Sequence, residues 1–307
     1  IEHHNQALAI SREIGDRRGE GNHLGNLSNA YFILGQYVKA IEHHNQALAI
    51  SREIGDRQNE GLWLGSLGIA YKELGQYDKA IEHHNQALAI SREIGHRRGE
   101  GNHLGNLGNA YNSLGQYDKA IEHHNQALVI SREIGDRQGE GSDLCSLGSA
   151  YLGGLDDPAS ALPLLIDAVA MYDDIWNGLK TDRDRITFGD VDGPTLSNRH
   201  LQIAHARLGN PQAALETAER ARSRAFELLL AEQRLKHSPQ QGGRDDDDDG
   251  ATAAVPSSPS ASAASSKTAT TSTTSTSWAD MAAVATTNRA CVVSYSLVTP
   301  TQLQIGV

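Results

Sequence analysis

The sequence contains only two cysteines, Cys145 and Cys291, and they lie far apart in the chain. Two such distant cysteines provide neither a disulfide framework nor the close spacing of a zinc site. A phosphate-binding loop and a Ser–His–Asp constellation are missing as well. We therefore expect no metal, no cofactor and no catalytic residue in this chain, and the scarcity of cysteine favours a reducing, cytoplasmic compartment.

Long apolar runs and clusters of basic residues are also missing from the sequence. No apolar stretch approaches the ~20 residues that a membrane-spanning helix needs, so we expect no membrane partner. The net charge is −11, and Asp245–Asp249 supplies five of these charges. A nucleic-acid backbone attracts clustered Lys and Arg, so we expect no nucleic-acid partner. The acidic run is interpreted as solubilising charge rather than as a cation site.

One segment of the sequence occurs four times at a constant interval. The sequence IEHHNQALAISREIG begins at Ile1, Ile41 and Ile81, and it returns at Ile121 with the single change Val129. Repetition at a fixed period indicates supersecondary units that bury their apolar faces against their neighbours. The repeat is therefore the main guide to the fold.

Each 40-residue unit is predicted to contain two helices joined by a short turn. In the third unit, Gly101–Tyr111 carries apolar residues at helical spacing, and Gly115 supplies a left-handed residue that ends this helix. The second helix begins near Gln116, and Gly135 ends it. Asp136 is then expected to cap the first helix of the next unit through its carboxylate.

The spacing of small and apolar residues in these helices resembles the tetratricopeptide repeat (TPR). In the third unit the matching residues are Leu107, Gly108, Tyr111, Ala120 and Ala127. The resemblance covers roughly the first half of the chain, and the 40-residue period is similar to that of spindle-orientation adaptors and kinesin light chains. It implies an all-α superhelical solenoid in which small residues allow close helix packing and the tyrosine fills the wedge between helices. Ser28 at the glycine position and His124 at a position that favours an aromatic residue depart from the family pattern.

The pattern divides the chain into four segments. Residues 1–155 form the TPR array, and residues 156–236 are predicted to form divergent terminal helical repeats with a polar connection over Asp182–Asp192. Residues 237–277 are rich in Ser, Thr and Ala and are predicted to be a disordered linker. Residues 278–307 are expected to contain a short helix and a β-hairpin that begin an α/β domain.

The order of these segments resembles the junction at which TPR arrays precede a CHAT domain, a caspase-like fold. Ala214–Leu230 and Cys291–Val307 carry this resemblance. It implies a His–Cys dyad further downstream, so Cys291 is interpreted as a buried strand residue and not as a nucleophile. Because the chain starts inside a repeat and stops at Val307 in a strand-like run, we expect it to be a fragment of a larger protein.

The first helix of each unit is expected to line a concave groove. Asparagine amides offer both a donor and an acceptor, which suits the backbone of an extended peptide. The resemblance implies the same use of inner-helix asparagines. The candidate partner-binding residues are Asn22, Asn26, Asn29, Lys72, Asn102, Asn106, Asn109, Asn112, Ser142 and Ser149. The groove is also expected to include Leu62, Ile69, Cys145 and Leu152, and Gly25, Gly65 and Gly105 are expected to leave room for the ligand.

Three functional hypotheses follow for the array. The first is a scaffold that binds a peptide or partner protein in the groove. The second is a recruitment arm of a CHAT-type cysteine protease whose catalytic part lies beyond this chain, and the third is a purely structural spacer. We also expect fraying over Ile1–Gly15, where a helix lacks its partner, and self-association through that end.

The paired histidines and the repeated arginines have structural interpretations. Adjacent helix residues point about 100° apart, so a pair such as His83–His84 cannot chelate one ion. The second histidine of each pair is predicted to pack between helices, and the first is predicted to be solvated. Arg17 and its copies Arg57, Arg97 and Arg137 are predicted to pair with acidic residues between units.

Overall fold

The computed structural model describes residues 1–189 and 191–237, and these residues are almost entirely helical. The repeat array begins with eight α-helices, which are α1 Glu2–Glu13, α2 Arg17–Ile33, α3 Tyr37–Glu53, α4 Arg57–Glu73, α5 Tyr77–Glu93, α6 Arg97–Ser113, α7 Tyr117–Glu133 and α8 Arg137–Ser149. A π-helical turn, Ala150–Gly154, extends α8. Four further helices follow, which are α9 Pro158–Gly178, α10 Asp182–Gly189, α11 Asp192–Arg207 and α12 Pro211–His237.

The helices pair as antiparallel hairpins, which stack in chain order. The hairpins are α2 with α3, α4 with α5, α6 with α7, and α8 with α9, and each second helix also contacts the first helix of the next hairpin. We call α2, α4, α6 and α8 the first helices and α3, α5 and α7 the second helices. The predicted all-α solenoid of helical hairpins is confirmed.

The helix ends follow the predicted chemistry. The carboxylate of Asp136 accepts a hydrogen bond from the backbone N–H of Gly139 at 2.9 Å, so the predicted cap is confirmed. Asp16 and Asp56 cap α2 and α4 in the same way. His96 replaces the aspartate before α6 and makes no side-chain cap bond. Gly115 has a φ of +72°, a conformation that glycine adopts without the strain of a Cβ atom.

The core of each hairpin depends on close helix contact. Leu67 and Leu107 are fully buried. A Cβ atom added to Gly68 or Gly108 would lie 2.6 Å from the imidazole Nε2 of His84 or His124. The predicted close approach is therefore confirmed, and the second histidine of each pair packs between helices as predicted.

The first histidine of each inner pair is not a solvated residue, so that interpretation is wrong. His43, His83 and His123 are half-buried and stack on the tyrosine of their own hairpin, with ring centroids 5.1–5.3 Å apart. The tyrosines that they meet are Tyr31, Tyr71 and Tyr111. A lysine ammonium lies over the same tyrosine ring at 5.2–5.3 Å. The tyrosine therefore fills the wedge together with a histidine.

A chain of ion pairs repeats along the array. Arg97 bonds Glu133 within its own hairpin and Glu100 on its own helix. Glu100 also accepts from Arg92 of the preceding hairpin at 2.8 Å. The repeated arginines therefore pair with acidic residues, but within their own hairpin, so the prediction that they pair between units is wrong. The link between units is the bond from Arg92 to Glu100. Burial alone would raise the pKa of the Glu100 carboxyl, and its hydrogen bonds from Arg92 and Arg97 hold that pKa below its usual value.

The divergent terminal repeats are also helical. Helices α11 and α12 pack against each other, joined by a turn in which Gly209 has a φ of +73°. Asp182–Asp192 is not a polar connection, because Asp182–Gly189 forms a helix. The hydroxyl of Thr181 accepts from the N–H of Asp184 at 3.1 Å, and Phe188 packs on Tyr172 and Trp176.

Two parts of the sequence-based prediction lie outside the described residues. They are the linker from residue 238 to 277 and the hairpin within residues 278–307, including Cys291. Among the helices that the structure describes, none is long and apolar enough to cross a bilayer.

Candidate functional site

The candidate partner-binding residues share one location, on the solvent side of the first helices. Asn22, Asn26 and Asn29 on α2 are spaced by four and three residues, so they lie on one face of the helix. The corresponding residues of α6 lie on its equivalent face. None of the ten candidates is buried. Those that are exposed are Asn22, Asn26, Asn29, Asn102, Asn109 and Ser142, and those that are partly exposed are Lys72, Asn106, Asn112 and Ser149.

Most of the candidate amides have no hydrogen-bond partner among the described residues. Among residues 1–189 and 191–237, the only hydrogen bond of a candidate asparagine side chain joins Asn22 Oδ1 to Asn59 Nδ2, at a long 3.5 Å. The side chains of the other candidate asparagines make no hydrogen bond in that part of the chain. Their donors and acceptors are therefore available to a ligand.

Successive first helices contact one another, which places their exposed faces side by side. Helix α4 contacts α6, and α6 contacts α8. Trp63 on α4 also reaches back to Gly25 on α2, where an added Cβ would lie 2.2 Å from the indole ring. The asparagines therefore belong to one layer of helices.

The expectation that three glycines leave room for a ligand is wrong at two of them. The indole of Trp63 occupies the space beside Gly25, and the imidazole of His103 occupies the space beside Gly65. At Gly105 an added Cβ would meet only the Asp143 carboxylate, at 3.5 Å. Gly25 and Gly65 therefore serve the packing between hairpins.

Two of the expected groove positions near α8 are buried. Cys145 is 6% exposed, and its thiol lies 4.0 Å from His200 Nδ1. Burial raises the pKa of the Cys145 thiol, which keeps it protonated. Leu152 is also buried, because it packs against Leu165 and Leu201. Contact with α9 and α11 therefore removes these two side chains from the surface.

Among the ten candidates Lys72 alone is charged. Its ammonium lies 3.2 Å from the carboxylate of Glu73. The remaining candidates are amides and hydroxyls. This surface is suited to hydrogen bonding with an uncharged backbone.

Two residues that shape this layer were missed in the sequence. Trp63 and Asn59 both connect α4 to α2, by ring packing and by an amide contact. Aligning the sequence of α4 with those of α2 and α6 would have indicated these two residues, because α2 and α6 are nearly alike and α4 differs from both at these positions.

The stacked hairpins define the chain as a helical-repeat solenoid. The family model of the tetratricopeptide repeat matches residues 1–53, 21–93 and 99–174, which together make up more than half of the chain. The chain therefore belongs to the tetratricopeptide repeat family. No protein of curated function matches it in sequence.

Several solved structures share this fold. BtubC (BKLC) from P. vanneervenii has a TM-score of 0.61 and 18% identity over 80% of this chain and 94% of its own. A putative kinesin light chain with nearly identical TPR-like repeats, from Podospora anserina, has a TM-score of 0.54 and 21% identity over 68% of this chain and 96% of its own. The STAND protein PH0952 from Pyrococcus horikoshii has a TM-score of 0.59 and 18% identity over 76% of this chain and 34% of its own. These likenesses agree with the predicted TPR fold.

Proposed function

We propose that the chain is a protein–protein interaction scaffold that binds an extended peptide, or an extended segment of a partner protein, along the exposed face of the first helices. The observation that carries this proposal is the row of exposed and partly exposed asparagine amides on α2 and α6, of which only Asn22 makes a side-chain hydrogen bond among the described residues. A side-chain amide can donate to a backbone carbonyl and accept from a backbone N–H at the same time.

The energetics favour several contacts spread along the array. One hydrogen bond contributes a net ~0.5–1.5 kcal/mol, so a single asparagine gives little affinity. The asparagines are fixed on helices that are already packed, so less conformational freedom is lost on binding than with mobile loops. A ladder of such amides therefore gives useful affinity without deep pockets.

The first test replaces three candidates, Asn29, Asn109 and Asn112, by alanine. Peptides selected from a displayed random library on the full chain would be titrated against the variant by fluorescence polarisation. Three lost bonds at ~0.5–1.5 kcal/mol each predict at least about a tenfold rise in Kd.

The matched control replaces Asn45, Asn85 and Asn125, which are equally exposed but lie on the second helices. We expect this variant to bind within about twofold of the parent chain, since these residues lie outside the proposed surface. Thermal unfolding of both variants would check that each remains folded. If the first-helix variant binds as tightly as the control, or if no peptide is selected at all, the groove proposal is wrong and a spacer role is favoured.

The recruitment-arm hypothesis stays a prediction from the sequence. It depends on residues 278–307, which lie outside the described ranges, and the matching family model is that of the TPR alone. The peptide-binding proposal is independent of it, because it uses only residues of the repeat array.

A further inference from the structure

The first helices are of two kinds, which alternate along the chain. Helices α2 and α6 share the pattern RRGEGNHLGNL, whereas α4 and α8 share RQ at the start and serine in place of the central asparagine. The three exposed positions of α2 and α6 are all asparagine. In α4 they are Leu62, Ser66 and Ile69. The second helices do not alternate, so the difference is confined to the layer that carries the candidate site.

One set of ion pairs between hairpins follows the same alternation, whereas the set that includes Arg92 with Glu100 repeats at every hairpin. Arg18 on α2 lies 3.5 Å from Asp56, the cap of α4, and Arg98 on α6 lies 3.8 Å from Asp136, the cap of α8. Between α4 and α6 the corresponding residues are Gln58 and His96, which are not an acid–base pair of this kind. The structural unit of the first-helix layer is therefore a pair of hairpins, which spans two successive repeats.

The middle helix of the layer presents apolar side chains to solvent. Leu62 is 42% exposed, and Ile69, seven residues later on the same face, is partly exposed. The two apolar side chains lie about two helical turns apart, with Ser66 between them, and they provide apolar contacts on an otherwise polar face between the amide groups of α2 and α6.

We propose that the bound segment is uncharged and extended, and that it carries one large apolar side chain over α4 while the asparagines of α2 and α6 hold its backbone on either side. This inference rests on the proposed peptide-binding function and adds the chemistry of the ligand. A charged side chain over α4 is disfavoured, because Leu62, Ser66 and Ile69 offer it no opposite charge in exchange for its hydration.

The geometry of packed helices sets the spacing of these contacts. Neighbouring helices lie about 8–10 Å apart, so α2 and α6 are separated by about 16–20 Å. An extended chain rises about 3.3 Å per residue and spans that distance in about five or six residues. The apolar residue therefore lies about three residues from each group of backbone contacts.

The test uses a positional-scanning library of acetylated nine-residue peptide amides as the probe, with the full chain immobilised. We expect Leu, Ile, Met or Phe to be enriched at one central position, and Asp, Glu, Lys and Arg to be depleted throughout. The double variant Leu62→Asn and Ile69→Asn gives α4 the residues of α6, which the fold already accepts. It should lose the central apolar preference by about tenfold and keep its affinity for the flanking backbone.

A second variant makes the reverse change. Asn102→Leu with Asn109→Ile gives α6 the apolar residues of α4, and it should create a second apolar preference about three residues from the first. If neither variant moves the enrichment pattern, or if the parent chain selects charged peptides, the inference is wrong.

Failure of this inference about the ligand can be distinguished from failure of the proposed peptide-binding function. If replacing Asn29, Asn109 and Asn112 weakens binding while the α4 variant leaves the preference unchanged, peptide binding stands and only the ligand chemistry proposed here fails. If the asparagine variant binds normally, both proposals fail.

Discussion

At the scale of single residues, the array places neutral histidines where helices meet. Burial lowers the pKa of His84 to about 3 and that of His124 to about 4. An unfolded chain restores these imidazoles to a pKa of about 6.5, so below that pH the unfolded state binds more protons than the folded state. Their contribution to stability is therefore complete above pH ~6.5 and is lost as the pH falls toward their folded values.

We expect the free energy of unfolding to fall as the pH is lowered from about 6.5 to 4.5, by up to ~1.4 kcal/mol per pH unit for each buried histidine. Urea denaturation across this range would measure the slope. His84→Phe should reduce the slope by the share of one histidine, whereas His3→Phe, at an exposed position, should leave it unchanged. Equal slopes for the parent chain and the His84→Phe variant would show that His84 does not contribute to the pH dependence of stability.

Protonation of Asp143 changes the free energy of unfolding with pH in the opposite direction, over part of the same pH range. Burial raises the pKa of its carboxyl to about 7, although a hydrogen bond from Ser131 Oγ opposes the shift. Between about pH 4 and 7 the folded state therefore holds a proton that the unfolded state has lost, and this contribution weakens as the pH rises. Asp143 therefore subtracts from the histidine contribution to the slope, whereas carboxyls whose pKa is lowered in the folded state, such as that of Glu100, add to the slope toward acid pH.

At the scale of helices, the register between hairpins depends on one aromatic side chain filling the space beside a glycine. An alanine at Gly25 would place its Cβ 2.2 Å from the ring of Trp63. Overpacking of this kind costs about 1–3 kcal/mol, which exceeds the ~1 kcal/mol that alanine gains over glycine inside a helix.

We predict that the effect of Gly25→Ala on stability has opposite signs in the presence and in the absence of the Trp63 ring. Gly25→Ala should destabilise the parent chain but stabilise a Trp63→Ala background by up to ~1 kcal/mol, because the obstacle is gone. Gly105→Ala is the matched control, since its Cβ would meet Asp143 only at 3.5 Å and should stabilise the parent chain. Chemical denaturation of the parent chain, the two single variants Gly25→Ala and Trp63→Ala, and the double variant measures the coupling energy between the two positions. If the two changes in the free energy of unfolding simply add, the Trp63 ring does not limit the space beside Gly25.

The helices that sequence reasoning predicted well are those with a repeated apolar spacing. Leu104, Leu107 and Tyr111 indicate α6 without any knowledge of its neighbours. Helix α10 was missed because Asp182–Gly189 is rich in charge and has Phe188 as its one buried side chain, which packs on residues outside its own helix. Local pattern does not encode that contact.

The candidate site was predictable in location but not in detail. Helical spacing sufficed to place Asn102 and Asn109 on one exposed face. That Trp63 would occupy the space beside Gly25, or that His83 would stack on Tyr71, depends on the angle and register between helices. Those quantities are set by packing between separate helices, which the pattern within one helix does not specify.

At the scale of the whole chain, the stability of the array is expected to be lowest at α1. Ile10 is 57% exposed, whereas its counterpart Ile50 in α3 is 5% exposed because it packs on Gly21 of the facing helix. Helices of a solenoid are stabilised by their neighbours, and α1 has a neighbour on one side only. The fraying predicted for Ile1–Gly15, and any self-association through that side, remain predictions.

Limited trypsin digestion tests whether α1 is less stable than the inner helices, because it can compare cleavage sites that have the same local sequence. Arg12, Arg52 and Arg92 lie in the same segment, SREIG, and have nearly equal side-chain exposures of 52–53%. We expect cleavage at Arg12 to precede cleavage at the other two, since cleavage requires local opening and α1 opens at the lowest cost. Mass spectrometry of the fragments identifies the site, and equal rates at the three arginines would show that α1 is as stable as the inner helices.

The pairing of hairpins by Arg18 with Asp56 and by Arg98 with Asp136 constrains how such an array can grow or shrink. The second helices are nearly identical in sequence, so recombination between their coding regions can remove or add one whole repeat without breaking a hairpin. Loss of the hairpin that contains α4 would bring α2 and α6 together and remove Leu62 and Ile69, because α8 carries Ser142 and Ser149 at the same positions. A change in the number of repeats would therefore alter the chemical pattern of the exposed face as well as its length.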